Sequence, residues 1–316
     1  MKRILYIFTL LFLFLQMCRC SKCFDGASNR NDTKNAFNFF VISDWGWNGS
    51  PDQRKVADQM AITARYINLR FIVTCGDNFQ LNGVTSVHDS LWFINYKNVY
   101  WQKSLHVDWY PVLGNHDYIG NTQAEIDYSK ICRRWKMENY YYTFARRIND
   151  SVSARFIFLD TPPLVDAYYL DTATYPDIEK LDSAKEIQWL KETLSRSTEQ
   201  WKLVFGHHPI FSASPYHGNT KEMIEKVKPL LEKFGAQIYF CGHDHDLQHL
   251  KEKNGKVDYL VTGTGGNCRR DSTDEQSIYS NSVLAFSFVS FKADGISVAF
   301  INTSGQEIYR FTRKIK

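Results

Sequence analysis

The sequence predicts an α/β protein built as a two-sheet β-sandwich flanked by helices. Three observations carry that prediction. Five short apolar runs, bounded by glycine and polar residues, read as buried strands: residues 39–43, 71–75, 109–113, 203–205 and 238–241. Amphipathic helical patterns lie between several of them. After Gly242 the chain becomes strand-rich and helix-poor, which suggests a second sheet packed on the first.

Each element has a local reason. Ser50, Pro51 and Gln53 form a helix-start signal, with an N-cap hydroxyl, Pro at the first helical position and Gln three residues on. Val56, Met60, Ala64 and Ile67 then recur at helical spacing. Thr122 and Glu125 give a second capping signal, opening a helix toward Ile131. Ile187, Leu190 and Leu194 mark a third helix, and Met223, Val227, Leu230 and Leu231 a fourth. Residues 259–261, 283–291, 296–302 and 307–311 read as strands, with Gly295 and Gly305 at turns.

The chain has 316 residues, 44% hydrophobic and 15% aromatic, enough for one large domain. Lys2 and Arg3 precede an apolar stretch over residues 4–15, followed by Cys18 and Cys20. That is the pattern of a cleavable export signal over residues 1–20, too short to span a bilayer. A polar leader over 21–36 and one domain over 37–316 follow. The expected location is therefore secreted, periplasmic or lumenal. The formal net charge is +4, and loss of Lys2, Arg3 and Arg19 lowers it to about +1. Such a balance gives no electrostatic case for nucleic acid or for an anionic membrane after cleavage. Five cysteines remain, an odd number, and Cys75 and Cys241 sit inside apolar strands, so this is not a disulfide scaffold. A monomer is the default expectation.

The informative feature is what ends each apolar run. The five runs lead into Asp44, Asp77, Asn115, His207 and the pair His243 and His245. Ligands of open α/β sheets collect at the carboxyl ends of strands. Six donors far apart in sequence are thus expected on one rim. Mixed oxygen and imidazole donors suit Fe, Zn or Mn better than Ca or Mg.

These blocks, in this order, resemble the calcineurin-like metallophosphoesterase superfamily, and most closely a purple acid phosphatase of the small, tartrate-resistant type. The pieces that carry the resemblance are Asp44-Trp45-Gly46, Gly76-Asp77-Asn78-Phe79, Gly114-Asn115-His116-Asp117, Gly206-His207-His208-Pro209 and Gly242-His243-Asp244-His245. The resemblance implies a four-layer fold with two metal ions at one edge, Fe at one site and Fe, Zn or Mn at the other. It implies that Asp44, Asp77 and His245 hold the first metal, that Asp77 bridges, and that Asn115, His207 and His243 complete the second site. The chain departs from the family where a tyrosine ligand stands three residues after the bridging acid; here that residue is Gln80. A neutral amide is a weaker ligand than a phenolate, so the first metal is expected to be held less firmly and the protein to lack the purple colour.

The expected chemistry is hydrolysis of phosphate monoesters, on small molecules or proteins, by a metal-bound hydroxide. The expected substrate pocket comprises Asn115, His116, His208 and His217. His116 is a candidate to bind a phosphoryl oxygen, with Asp117 steadying its tautomer. Either His116 or His217 is a candidate acid for the leaving alkoxide. Asp160, which also ends an apolar run, reads as structural or pocket-wall. Residues 262–266 read as a plain turn beside the site, and residues 161–182 as a long loop near the pocket. Two other functions compete. One is a phosphodiesterase or nucleotidase on the same centre; the other is a low-activity scaffold or binding protein, which Gln80 alone supports.

Overall fold

The structure is a computed structural model that describes residues 35–292 and 295–314. The export signal expected over 1–20, and the leader up to residue 34, lie outside the described residues.

Among the described residues, thirteen strands are distributed over two mixed sheets. The first sheet starts from β1 (Phe37–Ile42), β2 (Leu69–Cys75) and β3 (Asp108–Val112), which run parallel. The second contains β4 (Tyr142–Arg147), β5 (Ser153–Phe158), β6 (Trp201–Phe205), β7 (Ile238–Cys241), β8 (Leu247–Leu250), β9 (Asp258–Thr262) and β10 (Ser277–Asn281). Within it β5, β6, β7 and β9 are mutually parallel neighbours. The last three strands, β11 (Ala285–Lys292), β12 (Gly295–Asn302) and β13 (Glu307–Lys314), return to the first sheet, with β11 pairing antiparallel to β1. The sheet orders are β13-β12-β11-β1-β2-β3 and β10-β8-β9-β7-β6-β5-β4.

The two-sheet architecture agrees with the sequence expectation, but the division of the chain does not. The strand-rich tail was expected as a sheet of its own. Instead β8 to β10 extend the second sheet and β11 to β13 extend the first. The parallel strands need antiparallel neighbours to cover their edges, and the tail supplies them to both layers.

Side-chain alternation explains why the apolar runs are nearly continuous. In the second sheet Phe156, Phe158, Leu203, Phe205 and Phe240 face the first sheet, while Ile157, Val204, Tyr239 and Val261 face a separate apolar cluster. That outer cluster is closed by Leu190 and Leu194 of a helix over Ser183–Arg196 and by Leu231 of a helix over Lys228–Phe234. A strand buried on both faces keeps no polar alternation. Between the sheets Phe39 meets Phe156 at 5.6 Å and Phe205 at 6.4 Å between ring centroids. Each such ring contributes about 1.5–3 kcal/mol on burial, so this aromatic layer fixes the spacing of the two sheets.

The helix of Pro51–Ala64 starts as expected, with Ser50 Oγ accepting from Gln53 N at 3.2 Å. Gln53 reaches back to Gly49 N at 2.7 Å. The next helix, Thr122–Tyr128, is capped by Asn121 rather than by Thr122 and stops before Ile131. Asn121 Oδ1 takes the Ala124 amide, which frees the Thr122 hydroxyl to donate to Asp177 at 2.7 Å. The fourth expected helix opens with a π-helical turn over Met223–Val227 before Lys228–Phe234. The four described cysteines, Cys75, Cys132, Cys241 and Cys268, are free.

Candidate metal centre

All six expected donors leave the carboxyl ends of parallel strands and meet where the two sheets face each other. The first sheet supplies the oxygen donors Asp44, Asp77 and Asn115 after β1, β2 and β3. The second supplies the imidazoles His207, His243 and His245 after β6 and β7. All six are buried except His243, which is partly so.

Reaching this geometry takes unusual backbone. Asp44, Asp77 and His243 have φ of 53°, 50° and 69°, in the left-handed region that side chains other than glycine rarely occupy. Such conformations persist where the surroundings over-determine them, and here they turn three donors inward at strand ends. Glycine beside each block permits the close approach. A Cβ at Gly114 would lie 2.2 Å from Asp77 Oδ1, and one at Gly242 2.2 Å from Asp44 Oδ2.

The polar contacts point to cations. His207 Nδ1 donates to the Cys75 carbonyl at 2.9 Å, so neutral His207 presents its Nε2 lone pair to the centre. Around that nitrogen stand Asn115 Oδ1 at 3.0 Å, His243 Nδ1 at 3.2 Å and Asp77 Oδ1 at 3.4 Å. One ligand atom each from Asp44, Asp77 and His245 lie within 4.8 Å of one another. Asp44 Oδ1 and His245 Nδ1 are buried without a hydrogen-bond partner. Converging acceptors and orphaned buried atoms are costly unless positive charge sits among them. The donor set therefore fits a centre of two metal ions.

The electrostatics agree. Burial drives the Asp44 carboxyl well above the ordinary carboxylate range. Burial pushes Asp77 up as well, but the neighbouring His207 and His116, and the His116 amide, pull it below its usual value. Burial, reinforced by the adjacent histidines, holds His243 far below the ordinary imidazole value. Burial and the nearby Arg269 charge bring His245 down to about 4. Neutral imidazoles are what metal ligation requires.

Gln80 is buried and its side-chain N–H donates to Asp77 Oδ2 at 2.9 Å. A carboxylate only accepts, so the amide nitrogen faces it. The residue at the tyrosine position thus braces the expected bridging acid.

Asp117 is placed otherwise than expected. It does not touch the His116 ring, whose Nδ1 lies 3.3 Å from the Leu81 carbonyl. Its carboxylate instead accepts from the backbone amides of Gly114, Asn78 and Phe79 at 2.8, 3.1 and 2.9 Å. Tautomer control is therefore corrected to a structural role. Asp117 ties the loop that carries Asp77 to the loop that carries Asn115. Burial next to Asp77 raises it to about 7. His116 itself sits half-buried at the rim, and its amide donates to Asp77 Oδ1 at 3.0 Å.

His217 is exposed at the mouth, with its ring 4.1 Å from that of His243. His208 is buried behind the ligands, 4.5 Å from the His243 ring. Two residues of the loop expected near the pocket, given no individual role by the sequence, hold it. Thr161 Oγ1 accepts from the His207 and His208 amides at 3.1 and 3.0 Å, which uses both its lone pairs. Its proton therefore goes to His208 Nδ1 at 2.9 Å. His208 then donates Nε2–H to the Tyr168 oxygen at 2.7 Å. Burial keeps His208 neutral, well below the ordinary imidazole value. Tyr168 lies in the loop over 161–182, which packs Tyr168 on Tyr175 at 4.7 Å and reaches Asn115 through Tyr175. Asp160 is fully buried, accepting from Tyr118 at 2.5 Å. The glycine turn over 262–266 packs under β1, where Gly265 N donates to the Ser43 carbonyl at 3.0 Å.

Comparison with known proteins agrees with this geometry. Residues 37–247 match the calcineurin-like phosphoesterase family. The chain is 34% identical to purple acid phosphatase 4 of Arabidopsis thaliana over 87% of its own length and 83% of that protein. It is 32% identical to human tartrate-resistant acid phosphatase type 5 over 94% of this chain and 95% of that one. Among solved structures, GAP50 of Plasmodium, described as the anchor in the inner membrane complex, superposes with a TM-score of 0.79 at 24% identity, covering 89% of each chain. The chain belongs to the calcineurin-like phosphoesterase family and is a metal-dependent phosphatase related to the purple acid phosphatases.

Proposed function

We propose that the protein is an exported acid phosphatase that hydrolyses phosphate monoesters at a two-metal centre formed by Asp44, Asp77, Asn115, His207, His243 and His245. The observation that carries this reading is the meeting of three oxygen donors and three imidazoles from opposite sheets around orphaned buried atoms. Two cations there would polarise a phosphoryl oxygen and lower the pKa of a water molecule. Asp77, held by Gln80 and the His116 amide, is the residue to bridge them. Asn115 and His116 lie on one loop and orient the phosphoryl oxygens. His217, exposed beside His243, is the group in reach of a leaving alkoxide and supplies its proton. His208 is held neutral by Thr161 and Tyr168 and supports the wall. Iron, with zinc or manganese as the second ion, suits the mixed donor set.

Elemental analysis of natively purified protein, run with parallel assays on an aryl phosphate monoester and diester, tests the reading. About two metal ions per chain and faster monoester hydrolysis are expected. Faster turnover of the diester would favour the phosphodiesterase or nucleotidase reading.

A scaffold is the second reading, favoured by Gln80 at the tyrosine position and by the likeness to GAP50, an anchor protein on this fold. Metal-free, inactive protein from native material would establish it in place of the phosphatase. The export signal is tested by N-terminal sequencing of the secreted protein, which should begin after residue 20.

A further inference from the structure

Beside the six donors, at the mouth, stands an arginine without an acid. Arg269 follows the glycine turn over 262–266. Its backbone is clamped on both sides: Arg269 N donates to the His245 carbonyl at 2.7 Å, and the Ser282 hydroxyl donates to the Arg269 carbonyl. The side chain is therefore aimed by a rigid support. Its guanidinium carbon lies 5.4 Å over the Tyr216 ring, and Nη1 lies 3.4 Å from His217 Nε2. Among the described residues it has no carboxylate partner. A guanidinium offers five N–H donors in a planar fork suited to carboxylate or phosphate, and these contacts leave most of them unused. An arginine stacked on an aromatic face with most of its donors unused is suited to recognising an anion.

A guanidinium is a cation and no metal donor, and Arg269 touches the centre through His217, whose ring lies 4.1 Å from that of His243. A phosphoryl group centred on the metals would lie against His243, and a substituent on its ester oxygen that extends past His217 would come within reach of Arg269. We infer that Arg269, stacked on Tyr216, is a specificity-determining residue that binds an anionic group carried by the leaving group, so that the preferred substrates are phosphate esters whose alcohol bears its own carboxylate or phosphate. The inference rests on the phosphatase reading above and adds the chemistry of the leaving group to it.

The test compares phenyl phosphate with 4-carboxyphenyl phosphate for the wild type, Arg269→Gln and Arg269→Lys. The readout is the ratio of kcat/KM for the two esters, in which a general loss of structure or of His217 positioning cancels. The wild-type preference for the carboxylate is expected to fall about fivefold or more in Arg269→Gln, to survive in part in Arg269→Lys, and to weaken with added salt. An equal loss on both esters, or an unchanged ratio, overturns the inference. Calorimetric binding of phenylphosphonate and 4-carboxyphenylphosphonate to the metal-loaded protein reads the same preference without turnover. Should the wild type hydrolyse neither ester, the phosphatase reading fails, while the binding ratio still decides the role of Arg269.

Discussion

Gln80 donates its amide to Asp77 at 2.9 Å, from the position where a tyrosine ligand is expected in the purple acid phosphatases. The contact puts a hydrogen bond to Asp77, the acid expected to bridge, where a metal–phenolate bond would stand. Iron-loaded wild-type protein is therefore expected to lack a tyrosinate charge-transfer band. Gln80→Tyr should gain one, together with tighter retention of the first metal against a chelator. Visible absorption of both proteins checks this, and a tyrosinate-type band in the wild type would refute it.

Asp117 closes three backbone N–H groups with one carboxylate. Asp117→Ala leaves those donors buried and unpaired, at a cost on the order of 3–5 kcal/mol. It also releases the two loops that present Asp77 and Asn115, so activity should fall about 10–100-fold, as for residues that orient metal ligands. Denaturant unfolding and metal titration measure the two effects. Normal metal affinity in a destabilised variant would separate folding from the site.

Gly114→Ala is a sharper probe of the close packing. Its Cβ would lie 2.2 Å from Asp77 Oδ1 and 2.4 Å from Asp77 N, neither of which belongs to a flexible chain end. Asp77 must move. A loss of more than about 100-fold in kcat, with reduced metal content, is expected. Wild-type metal content and rate would mean that the loop yields without cost.

Stability should depend on pH in a defined window. Burial raises Asp160 to about 8, and burial beside Asp160 raises Glu186 as well. A carboxyl with a raised folded pKa contributes stability that is fully present below its unfolded pKa and is lost as pH rises through the folded one. His208, His243 and His245 are depressed and act oppositely, but only below the unfolded imidazole value of about 6.5. Between pH 6.5 and 8 the raised carboxyls dominate, Asp44, Asp117 and Glu125 acting in the same direction as Asp160 and Glu186, so the thermal midpoint should fall as pH rises. Asp160→Asn should make that slope shallower by its own share. An identical slope in the variant would exclude Asp160 as its source.

The sequence made the six donors legible because each stands directly after an apolar run, where burial and the end of a strand coincide. The helix start at Ser50 was legible for a similar reason, since a cap is a local event. The assignment of strands to sheets was not. Whether β11 pairs with β1 or with β9 depends on contacts 250 residues apart, and alternation looks the same in either layer. The loop of Thr161 and Tyr168 was legible as lying near the pocket, but their individual roles were not, because these exist only once His208 is beside them. Asp117 misled for the opposite reason. Adjacency to His116 in sequence suggested contact, but the short helical turn over Asp117–Ile119 points the acid into the protein and leaves the histidine at the rim.

Every donor of the centre has been synthesised by residue 245, yet the floor on which half of them stand has not. Strand β1, which delivers Asp44, has β2 on one side and β11 on the other, and β11 starts at Ala285. On the ribosome, then, the acids and imidazoles emerge well before the last neighbour of β1. The strand that presents Asp44 therefore gains its full set of neighbours only after every one of these side chains has been made.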